Sequence, residues 1–138
     1  MNLTEHFTLE ELTATSHRQF DNTPNDAELA NLIKLAEFLE QVKEVLGGKP
    51  VMINSGFRSK AVNDSVGSKD TSQHRTGCAA DIRVPGMAPD AVVKALLASD
   101  LKFDQVIREF DAWTHVSIAE KPRRAALIID RSGTRFFA

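Results

Sequence analysis

Residues Asp26 to Leu46 constrain the chain most. Leu29, Leu32, Ile33, Ala36, Leu39, Val42 and Leu46 recur at helical spacing, and Gly47-Gly48 closes the run. A stripe of this kind must be covered by an apolar surface, so it reads as core packing. After Pro50 the chain offers that cover only in short pieces. Val51 to Asn54 and Ala79 to Val84 read as buried strands, and Phe103 to Glu109, Thr114 to Ile118 and Ala126 to Ile129 are further β-prone stretches. Thr8-Leu-Glu-Glu11 is a capping box that opens a short helix. Ser59 to Val66 and Asp90 to Leu97 read as two more short helices. Thr13 to Asn25 and Gly67 to Thr71 are polar and read as loops; Ser55 to Arg58 and Pro85 to Pro89 read as turns. This order predicts an α+β domain: a small, mainly antiparallel sheet with helices packed on one face.

The 138 residues, 42% hydrophobic and 26% charged, fit one domain over residues 1–138 with a single core. A formal net charge of -2 gives no basic surface for nucleic acid or an anionic membrane. No stretch approaches the roughly 18 to 20 apolar residues of a membrane span, so no insertion is expected. Met1 to Phe7 has neither a basic nor an apolar leader region, which predicts synthesis in the cytoplasm without a secretory signal. With one cysteine, Cys78, no intramolecular disulfide can form.

The chemistry is concentrated in two segments. Residues 72–81 read Ser-Gln-His-Arg-Thr-Gly-Cys-Ala-Ala-Asp, and residues 113–117 read Trp-Thr-His-Val-Ser. Together they supply His74, Asp81 and His115. Two histidines and a carboxylate suit a divalent metal with one open position, where zinc activates a water. Asp81 lies in an apolar strand, where an unpaired carboxylate is costly, so it needs a metal, a cation or several donors. Strand alternation turns Asp81 away from Ala80 and Ile82, and puts His115 with Trp113 and Ser117, opposite Val116. Neighbouring strands would bring Asp81 and His115 onto one surface, with His74 reaching in from the adjoining loop. Gly77 permits a tight turn between them. Other readings stand beside this one. Arg58 or Arg83 could hold Asp81 in a structural pair, and His115 could be a hydrogen-bonded core residue. His6 and His17 read as solvated. Cys78 could ligate zinc, but alternation sets it opposite Asp81, and it reads as a small buried thiol.

Ser72 to Ile82 resembles the Ser-x-His-x-x-Gly-x-Ala-x-Asp signature of the zinc D-alanyl-D-alanine carboxypeptidase family, which includes phage endolysin peptidases. Trp113-Thr-His115-Val-Ser117 is similar to the family's closing histidine motif, and Ser55-Gly-Phe-Arg58 to its Ser-Gly-[Phe/Tyr]-Arg motif. Phe7 to Leu12 and Asp21-Asn-Thr-Pro24 resemble the phage and prophage subgroup. The resemblance implies one zinc ion held by His74, Asp81 and His115. It implies Arg58 facing the substrate, Ser72 and Trp113 lining the site, and Glu109 as general base, an arrangement similar to that of hedgehog domains. Asp111 is the second candidate base, because the position three before His115, acidic in other members, is Ala112. Trp113 stands where some relatives carry another histidine, which leaves the proton donor open. The implied activity is hydrolysis of peptidoglycan stem peptides, as carboxypeptidase or endopeptidase, by a monomer that reaches the bacterial wall after release. The competing expectation is a non-catalytic zinc-binding structural or wall-binding module of a phage particle.

Overall fold

The structure, a computed structural model, describes residues 1–137. Helix α1 (Leu9–Thr13) starts at a capping box in which Thr8 and Glu11 satisfy each other's backbone N–H groups. Helix α2 (Asp26–Val45) starts the same way. The Asn25 side chain accepts the Glu28 N–H at 2.8 Å, and the Glu28 carboxylate accepts the Asn25 N–H at 2.9 Å. Gly47 and Gly48 follow with φ of 75° and 82°, a left-handed exit that glycine takes without strain.

The buried face of α2 is Leu32, Leu35, Ala36, Phe38, Leu39 and Val42. Two members of the predicted stripe fall outside it: Leu29 is half-buried, and Ile33 is 38% exposed. Ile33 sits about 100° round the axis from Leu32, beyond the edge of the arc that the sheet covers. Leu35 and Phe38 take the core positions instead.

Six strands follow: β1 (Met52–Ser55), β2 (Ala79–Arg83), β3 (Gln105–Glu109), β4 (Trp113–Ser117), β5 (Ala125–Asp130) and β6 (Gly133–Phe136). Their order across the sheet is β1-β2-β4-β3-β5-β6, antiparallel at every pairing except the parallel β3–β5. Helix α3 (Lys60–Ser65) and a 3₁₀ turn (Gln73–Thr76) lie between β1 and β2, and α4 (Pro89–Leu97) between β2 and β3. The α+β architecture is as the sequence predicts, with three local differences. The turn carrying His74 is helical rather than irregular, β1 begins one residue late and alternates between exposed and half-buried rather than being buried, and β6 is additional. All of β6 is exposed, with Phe136 at 80%, so no buried period marks it in the sequence.

Alternation divides the sheet into two faces. Ala80, Ile82, Val106 and Val116 join one core cluster with the buried residues of α2 and with Val92, Val93 and Leu96 of α4. The opposite parity of the same strands gives Asp81, Glu109, Trp113 and His115. Helices cover the first face and leave the second free to build a site. Among the described residues, no helix is long and apolar enough to cross a membrane.

Candidate metal centre

Asp81 and His115 are direct cross-strand partners on β2 and β4, so their side chains rise from the sheet side by side. His74 arrives from the 3₁₀ turn. Ser72 caps that turn by accepting the His74 N–H at 3.2 Å, and Gly77 ends it at φ 82°. A Cβ on Gly77 would lie 2.9 Å from the Glu28 carbonyl oxygen, so the turn fits against α2 only because that residue has no side chain.

The three groups converge. His115 Nδ1 lies 3.0 Å from Asp81 Oδ1, and His74 Nε2 lies 3.3 Å from the same oxygen. One ligand atom from each residue falls within 4.8 Å of the others, and all three residues are buried. Bonds of about 2.0–2.1 Å in a tetrahedral site put ligand atoms about 3.4 Å apart, close to the spacings seen. The tautomer is set as well. His74 Nδ1 is 2.7 Å from the Gly56 carbonyl oxygen, which can only accept, so Nδ1 carries the proton and Nε2 keeps its lone pair for the site. This donor set fits a divalent metal. Burial alone would push the Asp81 carboxyl up, but the hydrogen bonds and charges of His115 and His74 outweigh it and hold Asp81 well below the usual carboxylate range.

Arg58 closes one side. Its Nη2 is 3.4 Å from Asp81 Oδ2, its Nε donates to Ser55 Oγ at 3.3 Å, and its backbone N–H donates to the His74 carbonyl at 2.9 Å. The structural pair considered for Asp81 is therefore made with Arg58; Arg83, two residues further along β2, is exposed. Arg58, Asp81 and Trp113 line a cleft of about 310 Å³ with Phe57, Ser55 and His17. His17 is thus half-buried in the cleft wall rather than solvated, while His6 is exposed and pairs with Glu40 at 2.7 Å.

Glu109 pairs across the β3–β4 hairpin with Trp113, whose indole N–H donates to Glu109 Oε2 at 3.0 Å. Burial pushes the Glu109 carboxyl up, and the negative charge of Asp81 adds to it. The nearby His115, the Trp113 hydrogen bond and His74 pull in the other direction without cancelling the rise. Such a carboxylate is a better proton acceptor than a solvated one. Asp111 lies in the hairpin turn at φ 53°, is 74% exposed by side chain, and is engaged by Arg108 Nε at 3.0 Å. Of the two candidate bases, only Glu109 is on the face of His115.

Ser72 caps the His74 turn through its hydroxyl and borders a depression beside His115 and Arg123. Another expectation changes. Cys78 is half-buried rather than buried, and it lies outside the ligand group. The sequence reading did not single out Gly56 for its carbonyl, because nothing in a glycine marks its oxygen as a histidine's partner.

Comparison with known proteins identifies the family. The model of the family described as Peptidase M15 matches residues 5–117. A zinc D-Ala-D-Ala carboxypeptidase of Streptomyces albus G is 38% identical over 53 residues, covering 38% of this chain and 21% of that protein. The aligned part thus spans about a fifth of that relative's length. The chain belongs to the peptidase M15 family.

Proposed function

We propose that this peptidase M15 chain is a zinc-dependent hydrolase of peptide bonds in bacterial peptidoglycan stem peptides. The observation that carries the reading is the convergence of His74, Asp81 and His115, with Glu109 raised in pKa on the same sheet face. Zinc held by the three residues would lower the pKa of a water at its open position and polarise a substrate carbonyl. Glu109 takes the proton of the attacking water and returns it to the leaving amine. Trp113 fixes the Glu109 carboxylate through its indole N–H. The Arg58 guanidinium, in the lining of the cleft, clamps a substrate carboxylate or stabilises charge on the carbonyl oxygen. Trp113 stands where a second histidine could donate a proton, so Glu109 carries both proton transfers.

The finer reading is a D-Ala-D-Ala carboxypeptidase or an endolysin-type endopeptidase of phage or prophage origin. It would act on the wall after release from the cytoplasm, as a monomer. Mass spectrometry of purified peptidoglycan, digested with and without a chelator, tests the reading and reports the bond cut. New peptide termini that vanish with chelator are expected. An unaltered digest under both conditions would overturn hydrolysis and leave a non-catalytic zinc-binding module.

A further inference from the structure

Arg58 stands outside regular structure, between the end of β1 at Ser55 and the Ser59 cap of α3, so no ladder fixes its backbone. One distant side chain does this instead. Asn22 Nδ2 donates to the Phe57 carbonyl at 3.0 Å, and Asn22 Oδ1 accepts the Ser59 N–H at 2.7 Å. These groups belong to the two peptide units that flank the Arg58 Cα. A third bond, from Nδ2 to the Thr13 carbonyl at 2.8 Å, ties the clamp to the end of α1. The Asn22 amide thus meets three backbone groups with two donors and one acceptor, a combination that aspartate cannot offer.

The neighbours of Asn22 brace it. The Asp21 carboxylate accepts the Thr23 N–H at 2.9 Å and the Thr23 hydroxyl at 2.6 Å, and the Asp21 carbonyl accepts the Ser59 hydroxyl at 2.8 Å. Pro24 then leads into the Asn25 cap of α2. On the other side of Arg58, its own N–H reaches the His74 carbonyl at 2.9 Å, which joins the arch to the turn that carries a ligand.

We propose that Asn22 is a positioning residue, which sets the Arg58 guanidinium against the metal centre by clamping both peptide units around it. The proposal rests on Arg58 being the group that faces substrate. A misplacement of a positioning group by about 1 Å costs on the order of 100-fold in rate, and the Arg58 side chain is long enough to amplify a small backbone rotation to that size.

The test compares Asn22→Ala and Asn22→Asp, both zinc-loaded, with wild type. Asn22→Asp is isosteric and keeps the acceptor for Ser59 while losing both donations, so it carries the test if the alanine variant does not fold. Three results are expected. Zinc stays at one per chain. Amide hydrogen exchange of Arg58 and Ser59 accelerates at least about tenfold, while β2 and β4 stay protected. Cleavage of wall peptide falls by about 100-fold in the wild-type background and by less than about threefold in an Arg58→Ala background. Equal loss in both backgrounds would overturn the proposal, as would unchanged exchange at Arg58 and Ser59, loss of zinc, or failure of both variants to fold. The exchange measurement needs no turnover. If wild type cuts no wall peptide, the proposed function falls while the role of Asn22 is still decided.

Discussion

Replacing Glu109 by glutamine removes one charge from the site and keeps its shape. Trp113 Nε1 donates to Glu109 Oε2 at 3.0 Å, and a glutamine carbonyl oxygen can take the same bond. The variant therefore separates proton transfer from architecture. General acid–base catalysis by a positioned carboxylate is worth about 10²- to 10⁴-fold, or about 3–5 kcal/mol of barrier. Turnover of peptidoglycan peptide should fall by that factor with zinc binding intact.

Stability should respond differently, and with a defined pH dependence. Burial, then the charge of Asp81, raises the Glu109 pKa in the fold. A carboxyl raised in this way contributes fully below its unfolded pKa, about 4.3, and loses that contribution as pH rises through the folded value. In metal-free protein, glutamine relieves this loss only at the higher pH. The melting-temperature difference, variant minus wild type, should therefore rise between about pH 3.5 and pH 7. Calorimetry of the metal-free proteins measures it, and peptide release followed by chromatography measures turnover. A glutamine variant that cuts at the wild-type rate would refute Glu109 as the base. A difference that stays flat with pH would refute the account of its pKa.

Three other outcomes follow from named contacts. Gly77→Ala forces a side chain into φ 82° and to within 2.9 Å of the Glu28 carbonyl and 3.1 Å of Leu32 Cγ. The cost is about 2–4 kcal/mol, seen as a lower urea midpoint at unchanged slope. Asp104, buried beneath a two-pronged bond from Arg123, has its carboxyl lowered to about 2, chiefly by that bond. Its contribution of about 2 kcal/mol is present above the unfolded value and is lost as pH falls towards the folded one. Asp104→Asn should thus be destabilising at pH 7, with the gap closing by about pH 2 in acid unfolding. Zinc at 100 times its dissociation constant should stabilise the chain by about 2.7 kcal/mol. That shift should vanish with chelator and in His74→Ala; zinc titration with unchanged stoichiometry in His74→Ala would remove the ligand assignment.

What could be read from the sequence divides along a physical line. Asp81 and His115 were legible because a strand has a period of two: parity alone put Asp81 opposite Ile82 and His115 opposite Val116, and the β2–β4 register then made them neighbours. The capping boxes at Thr8 and Asn25 are local in the same way, though in the sequence Asn25 reads only as the end of a polar loop. The errors lie where one residue's environment depends on segments far away in the chain. Ile33 has the spacing of a core residue but falls past the edge of the sheet, and β6 pairs through its backbone with nothing apolar to show for it. His17 reads as solvated because a cleft wall leaves no period. The parts that orient the site are mostly backbone groups: the Gly56 carbonyl that sets the His74 tautomer, the His74 carbonyl that holds Arg58, and the Leu12 carbonyl that takes the Phe57 N–H at 2.7 Å. Every residue has such groups, so composition cannot single them out. A side chain that meets several of them, as Asn22 does, or a glycine that lets them approach, as Gly56 does with Leu12 O only 2.5 Å from an added Cβ, is the trace they leave in the sequence. The short motifs therefore mark more than the groups that meet metal and substrate. They also hold the residues whose size or amide geometry allows distant backbone to close around those groups.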